Sequence, residues 1–155
     1  MAKGYIYHVR LSQTAITAAK TLIQIKAGAA PIDILEARVY QITKTSSELL
    51  TLQWLRKSAA ATVTSFTPLK LNPADPAALA VGGTSATGTN ATAEGTDTDI
   101  VFEDVWNVLN GSWIYLPTPE DRIRIPQAGI LGLKLNTAPA ASMTLGAFIH
   151  FEEVQ

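Results

Sequence analysis

The sequence predicts an all-β domain, a jelly-roll-like sandwich or barrel, and three observations carry that expectation. Apolar and polar residues alternate at period two in one short run after another between Tyr5 and Phe151. Clusters rich in Pro, Gly and Asn separate these runs, and no stretch sustains a 3.6-residue apolar period for more than a turn or two. A strand buried on one face requires such alternation, and many short strands joined by turns close most readily into a sandwich or barrel.

The elements follow in order. In Tyr5–Leu11, Tyr5, Tyr7, Val9 and Leu11 share a face, with Ile6, His8 and Arg10 opposite. Ser12–Lys20 begins with Ser12 as a cap, and its composition predicts a helical turn or two. Thr21–Lys26 is a short strand, Asp33–Thr43 a longer one, and Leu50, Leu52 and Trp54 mark the inner face of the next. Pro73–Val81 is a second candidate helical turn. Ile100–Glu103 predicts a strand, Asp104–Leu109 either more strand or a helical turn, and Asn110-Gly111 a turn before Ser112–Leu116. The C-terminal third is the clearest: Arg122–Ile125, a Pro126-Gln127-Ala128-Gly129 turn, Ile130–Leu135, and a last strand with Met143, Leu145, Ala147, Ile149 and Phe151 in line.

Ser65–Asp99 breaks the pattern. It contains Pro68, Pro73 and Pro76 and then GGTSATGTNATAEGTDTD. So long a stretch without periodicity is unusual inside a compact domain. The expectation is one domain over residues 1–155 in which 65–99 forms a long loop or an arm lying along a neighbouring chain. In the arm reading, threonine hydroxyls at Thr87, Thr89 and Thr92 meet the neighbour.

Composition narrows the function. The 155 residues include no cysteine, which removes disulfides, thiolate zinc sites and thiol nucleophiles together. The net charge is −1 and no Lys/Arg-rich run occurs, so the footprint of a nucleic-acid binder is missing. Only 16% of residues are charged against 47% hydrophobic, a balance that favours a surface partly covered by other subunits. The N-terminal MAKGYIYHVRLSQ lacks the apolar core of a secretory signal, and no segment approaches the roughly 20 apolar residues of a spanning helix. Synthesis in the cytoplasm and no membrane partner are expected.

Candidate chemistry is sparse. His8 and His150 lie in predicted strands near opposite ends of the chain, and are assigned structural roles. Asp97 and Asp99 form a D-x-D pair near Glu103 and Asp104, without the ordered spacing of a calcium loop, and are placed in a solvated loop. Glu120-Asp121 and Glu152-Glu153 are further acidic pairs whose separation in space the sequence leaves open. Gly82-Gly83 and Gly88 lack the flanking residues of a phosphate loop, and Asn90 and Asn110 match a glycosylation pattern only by letter. No catalytic residue, metal ligand or cofactor site is assigned. Trp54 belongs to the core by its alignment with Leu50 and Leu52. Trp106, Trp113 and Tyr115, around the Asn110-Gly111 turn, are core by default and contact anchors if exposed.

The run LRKSAAATVTSFTPLKLNPADPAALAVGGTSATGTNATAEGTD, the later WIYLPTPEDRIRIPQAGILGLKL and the final FEEV resemble small tailed-bacteriophage proteins, in particular capsid decoration (cement) proteins. The likeness is one of phrasing and composition over most of the chain, with no ligand motif to transfer. It implies a jelly-roll-like domain, often a homotrimer, on the outer surface of an icosahedral head, with the major capsid protein as partner. Two other classes stay open: a carbohydrate- or receptor-binding sandwich using Tyr5, Tyr7, Trp106, Trp113 and Tyr115, and a metal-using enzyme on a cupin-like barrel. The second would need more clustered histidines than the two present.

Overall fold

A computed structural model describes residues 4–84 and 93–154. Among the described residues, twelve strands form two antiparallel sheets packed face to face. They are β1 (Tyr5–Ile16), β2 (Lys20–Lys26), β3 (Ile32–Gln41), β4 (Leu49–Ala59), β5 (Thr64–Phe66), β6 (Leu69–Lys70), β7 (Val81–Thr84), β8 (Thr96–Asn107), β9 (Trp113–Tyr115), β10 (Arg124–Ile125), β11 (Ile130–Leu135) and β12 (Met143–Glu153). The only helix among the described residues is a single 3-10 turn, Pro119–Asp121.

The first sheet runs β10-β3-β12-β1-β6, and β9 also pairs with β3, beside Ala37–Val39 where β10 takes Ile32 and Asp33. The second runs β5-β7-β2-β11-β4-β8. Without β5, β6 and β7, the order is β1-β12-β3-(β9/β10) against β2-β11-β4-β8. That is the strand order of a jelly roll, two interleaved Greek keys. Alternation dictates what fills the middle. Tyr7, Val9, Leu11, Ile34, Val39, Leu145, Ile149 and Phe151 from one sheet meet Ile23, Ile25, Leu50, Leu52, Trp54 and Leu133 from the other, and all have no solvent exposure.

The helical expectation for Ser12–Lys20 is corrected: β1 continues to Ile16. A register shift against β12 between Leu11 and Thr14 absorbs the break in alternation, so Thr14 and Ile16 stay buried and the ladder to Met143–Leu145 is kept. Pro73–Val81 forms no helix either; it is a turn leading into β7.

The stretch read as an arm is, where described, folded onto its own domain. As far as Gly95 it belongs to the connection from β4 to β8, whose described part lies along the flank formed by β1 and β2, and Thr96–Asp99 open β8. Ala61 N donates to Gln24 Oε1 (2.8 Å) as the chain leaves β4. β5 and β7 then extend the second sheet beyond β2, and β6 pairs with Tyr7–His8 of β1. Tyr7 Oη donates to the Pro76 carbonyl (3.2 Å), and the amides of Leu79 and Ala80 both donate to Glu153 Oε1 (2.8 Å each). On the return, Thr21 N and Oγ1 donate to Glu94 Oε2 (3.0 and 2.7 Å). Gly95 follows at φ +70°, where a Cβ would fall 2.2 Å from the Ala59 carbonyl oxygen. Only glycine fits there without strain. Sequence periodicity failed here because strands of two to four residues are too short to display one.

Candidate interaction surface

The two flanks of the sandwich differ. The β4–β8 connection covers the β1/β2 flank. At the opposite flank the second sheet ends in β8 and the first in β9 and β10. Among the described residues, β8 is paired along one side only, with β4, from Leu49↔Asn107 to Ala59↔Thr96. A register shift between Trp54 and Leu55 leaves Val101 without an opposite residue. Every residue of β8 from Thr96 to Val105 is exposed, including Ile100 (59%), Phe102 (38%) and Val105 (56%). Ile114 and Leu116 of the first sheet's edge add to the same flank, and Leu116 is 71% exposed. Phe102, Ile114, Tyr115, Leu116, Pro117 and Asp121 line a groove of about 460 Å³ between the two edges. Scattered exposed apolar residues are ordinary; a contiguous run along a free strand edge marks a contact surface.

The residues singled out as anchors support this flank from beneath. Trp106 is 4%, Trp113 5% and Tyr115 8% exposed, so none presents its ring to a partner in the isolated chain. Chain geometry explains it. The turn with Gly111 at φ +84° carries the chain from the second sheet to the first, so residues on both sides of it project into the interlayer space. Trp106 Nε1 donates to the Gly111 carbonyl (2.9 Å) and Trp113 Nε1 to Asp104 Oδ2 (3.0 Å). Tyr115 stacks on Trp113 (6.4 Å between centroids) and meets Trp54 (5.7 Å) and Phe102 (5.2 Å) edge-on. Burial raises the Tyr115 phenol above its ordinary value and nearby Asp121 adds to this, against a backbone hydrogen bond at Ile123 that lowers it. The exposed members, Phe102, Ile114 and Leu116, were not singled out by the sequence. The available signal was Ile100-Val101-Phe102, apolar on both faces of a strand bounded by acids. Thr87, Thr89 and Thr92 lie outside the described residues.

The acidic residues are also placed differently from expectation. Asp97 and Asp99 belong to β8 rather than a loop. Asp97 bridges Lys57 (2.5 Å) and Lys134 (2.9 Å). Glu103 accepts from Gln53 Nε2. Among the described residues, no cation lies within ion-pair distance of Asp99, Glu103, Asp104, Glu120 or Asp121.

The two histidines meet across the β1–β12 ladder, His8 opposite His150, with ring centroids 5.9 Å apart. Glu36 Oε2 lies 3.4 Å from His150 Nδ1, and Arg38 bridges to Glu36 (2.7 Å) while lying over the Phe148 ring. They stand on the outward face of the first sheet rather than in an enclosed cavity. Among the described residues, no three His, Asp or Glu side chains are grouped to hold a metal ion. Burial, then His150 and Arg10, lower the His8 pKa below 6.5. Below that value the unfolded chain takes up a proton before the folded one does. The stability His8 contributes is therefore present above pH 6.5 and lost as pH falls through its folded value. Thermal melts at pH 7.5 and 5.5 should show this loss, and His8→Gln should reduce it.

No family model and no curated protein matches the sequence. Among solved structures, the chain is similar to infectious bursal disease virus VP2 in its subviral particle (12% identity, TM-score 0.23, 96% of this chain and 41% of VP2). It is also similar to a chain of the T13 viral particle of the same virus (10% identity, TM-score 0.21, 99% of this chain and 40% of that one). The chain thus spans about two fifths of the length of either. The jelly-roll assignment rests on the strand order of the two sheets.

Proposed function

We propose that this protein is a virion structural component: a decoration (cement) protein that binds the outer surface of an icosahedral phage head as an oligomer, a homotrimer, and stabilises it. One observation supports this above the others. A twelve-residue edge strand with Ile100, Val101, Phe102 and Val105 exposed is left without a second neighbour among the described residues, whereas the other flank is covered by the protein's own insertion. An edge of that kind suits a subunit completed by assembly. Mechanistically, a trimer presents three modest capsid contacts on one rigid body. The second and third engagements are then intramolecular, and avidity exceeds any single affinity by orders of magnitude. The resemblance to phage decoration proteins supplies the head as partner.

The carbohydrate-binding alternative loses most of its groove, because Tyr7, Trp106, Trp113 and Tyr115 are buried. The test is the mass in solution followed by binding to expanded heads. The expected result is a species of three times 16.5 kDa that co-sediments with heads and raises their resistance to heat. A stable monomer that ignores heads overturns the proposal.

A further inference from the structure

We infer that the open flank takes an extended segment of a partner protein, apolar at its centre and carrying Lys or Arg at its ends, added as a further strand beside β8. This names the partner chemistry of the surface on which the proposed function rests.

Three features of the flank specify the occupant. Its backbone offers a strand edge, since β8 spends only one side on β4. An extended peptide gains main-chain hydrogen bonds there, with alternate side chains free for recognition. The centre of that edge is apolar, and the groove of Phe102, Ile114, Tyr115, Leu116 and Pro117 beside it can receive apolar side chains. The ends are acidic: Asp97 and Asp99 precede Ile100-Val101-Phe102, and Glu103 and Asp104 follow it. Glu120 and Asp121 stand on the far side of the groove, Asp121 in its lining. Of these six carboxylates only Asp97 has a cation within ion-pair distance among the described residues. A cationic flank on the incoming segment would answer the rest.

The same charges disfavour a second copy of β8. An antiparallel pairing centred on Val101 sets Asp99 of each copy opposite Glu103 of the other, and a parallel in-register pairing sets each carboxylate on its own twin. Like charges directly opposite destabilise a ladder. The edge is therefore guarded against itself and open to a segment of opposite charge.

The test uses the whole protein and two fluorescein-labelled nine-residue peptides. Both have a Val/Thr-alternating centre; one has Lys-Arg at each end and the other Glu-Glu. Anisotropy should show the basic peptide bound about tenfold or more tighter than the acidic one, with the difference shrinking as salt rises. Asp99→Lys with Glu120→Lys should invert the preference, and Leu116→Glu should weaken both peptides, with melting temperatures unchanged. Failure to bind either peptide, equal binding of both, or binding that ignores these substitutions overturns the inference, as does self-association that competes with the basic peptide. Heads separate this from the proposed function. If wild type binds heads and the charge-reversed variant binds them equally, the inference falls and the function stands. If the peptide preference holds but wild type ignores heads, the function falls and the surface stands.

Discussion

Replacing Asp97 by alanine should destabilise the fold by about 3 kcal/mol, because it strips the counter-ion from a buried lysine. Lys57 sits in β4 on the outward side of the second sheet, and the returning insertion covers it completely: its side chain has no exposure. Its Nζ donates to Asp97 Oδ1 and to the Glu94 carbonyl (2.7 Å), while Asp97 Oδ2 takes Lys134. Without Asp97, one carbonyl is left to answer a buried charge. For a chain of this length the melting temperature should fall by about 6–12 °C. Adding Lys57→Met should recover part of the loss, because removing both charges costs less than orphaning one. Chemical denaturation of the four variants of the cycle measures the coupling. The dependence on pH has a fixed sign. Burial alone would raise the Asp97 pKa, but the hydrogen bonds from Lys57 and Lys134 outweigh it and hold the carboxyl below 3.8. The stabilisation is therefore present above pH 3.8 and lost as pH falls through the folded value, so wild type and variant should converge in acid.

Trp54→Ala should have the largest effect of any single substitution described, about 4 kcal/mol, read as a shift in the urea midpoint. Trp54 is fully buried in the middle of β4, and its ring begins a contact series through Tyr115 to Phe102 at the open flank. Its Nε1 has no hydrogen-bond partner among the described residues, so the loss is one of packing rather than of polar pairing. Trp54→Phe, which keeps a ring against Tyr115, should lose less than half as much. If the two substitutions cost the same, the ring contact is not what Trp54 contributes.

Much of the fold was legible because most core strands bury one face and show it. Tyr7-Val9-Leu11, Leu50-Leu52-Trp54 and Leu145-Ala147-Ile149-Phe151 alternate without interruption and lie at the centre of the two sheets. The failures have separate causes. A bulge in β1 broke the alternation at Ser12-Gln13 and imitated a helix cap. β5, β6 and β7 are too short to carry a period, and the residues between them and after them, Pro76, Leu79 and Glu94, are held by bonds with Tyr7, Glu153 and Thr21, which lie far away in sequence. The flank was only half legible. Tryptophan is a sound marker of contact surfaces in general, yet here the turn at Gly111 faces both of its neighbouring tryptophans inward. What reaches solvent instead is a strand with apolar residues on both faces, a pattern that alternation is blind to.

β12 lies between β1 and β3, with Tyr5 paired to Glu153 and Ile32 to the same residue from the other side. Among the described residues, no other strand of the sheet joins the two. During synthesis, then, the first sheet remains in two halves until the segment from Met143 to Glu153 clears the ribosome. Pairings this distant close slowly. A chain cut short before that point lacks the strip that joins its halves, so shortened products should be cleared as unfolded protein.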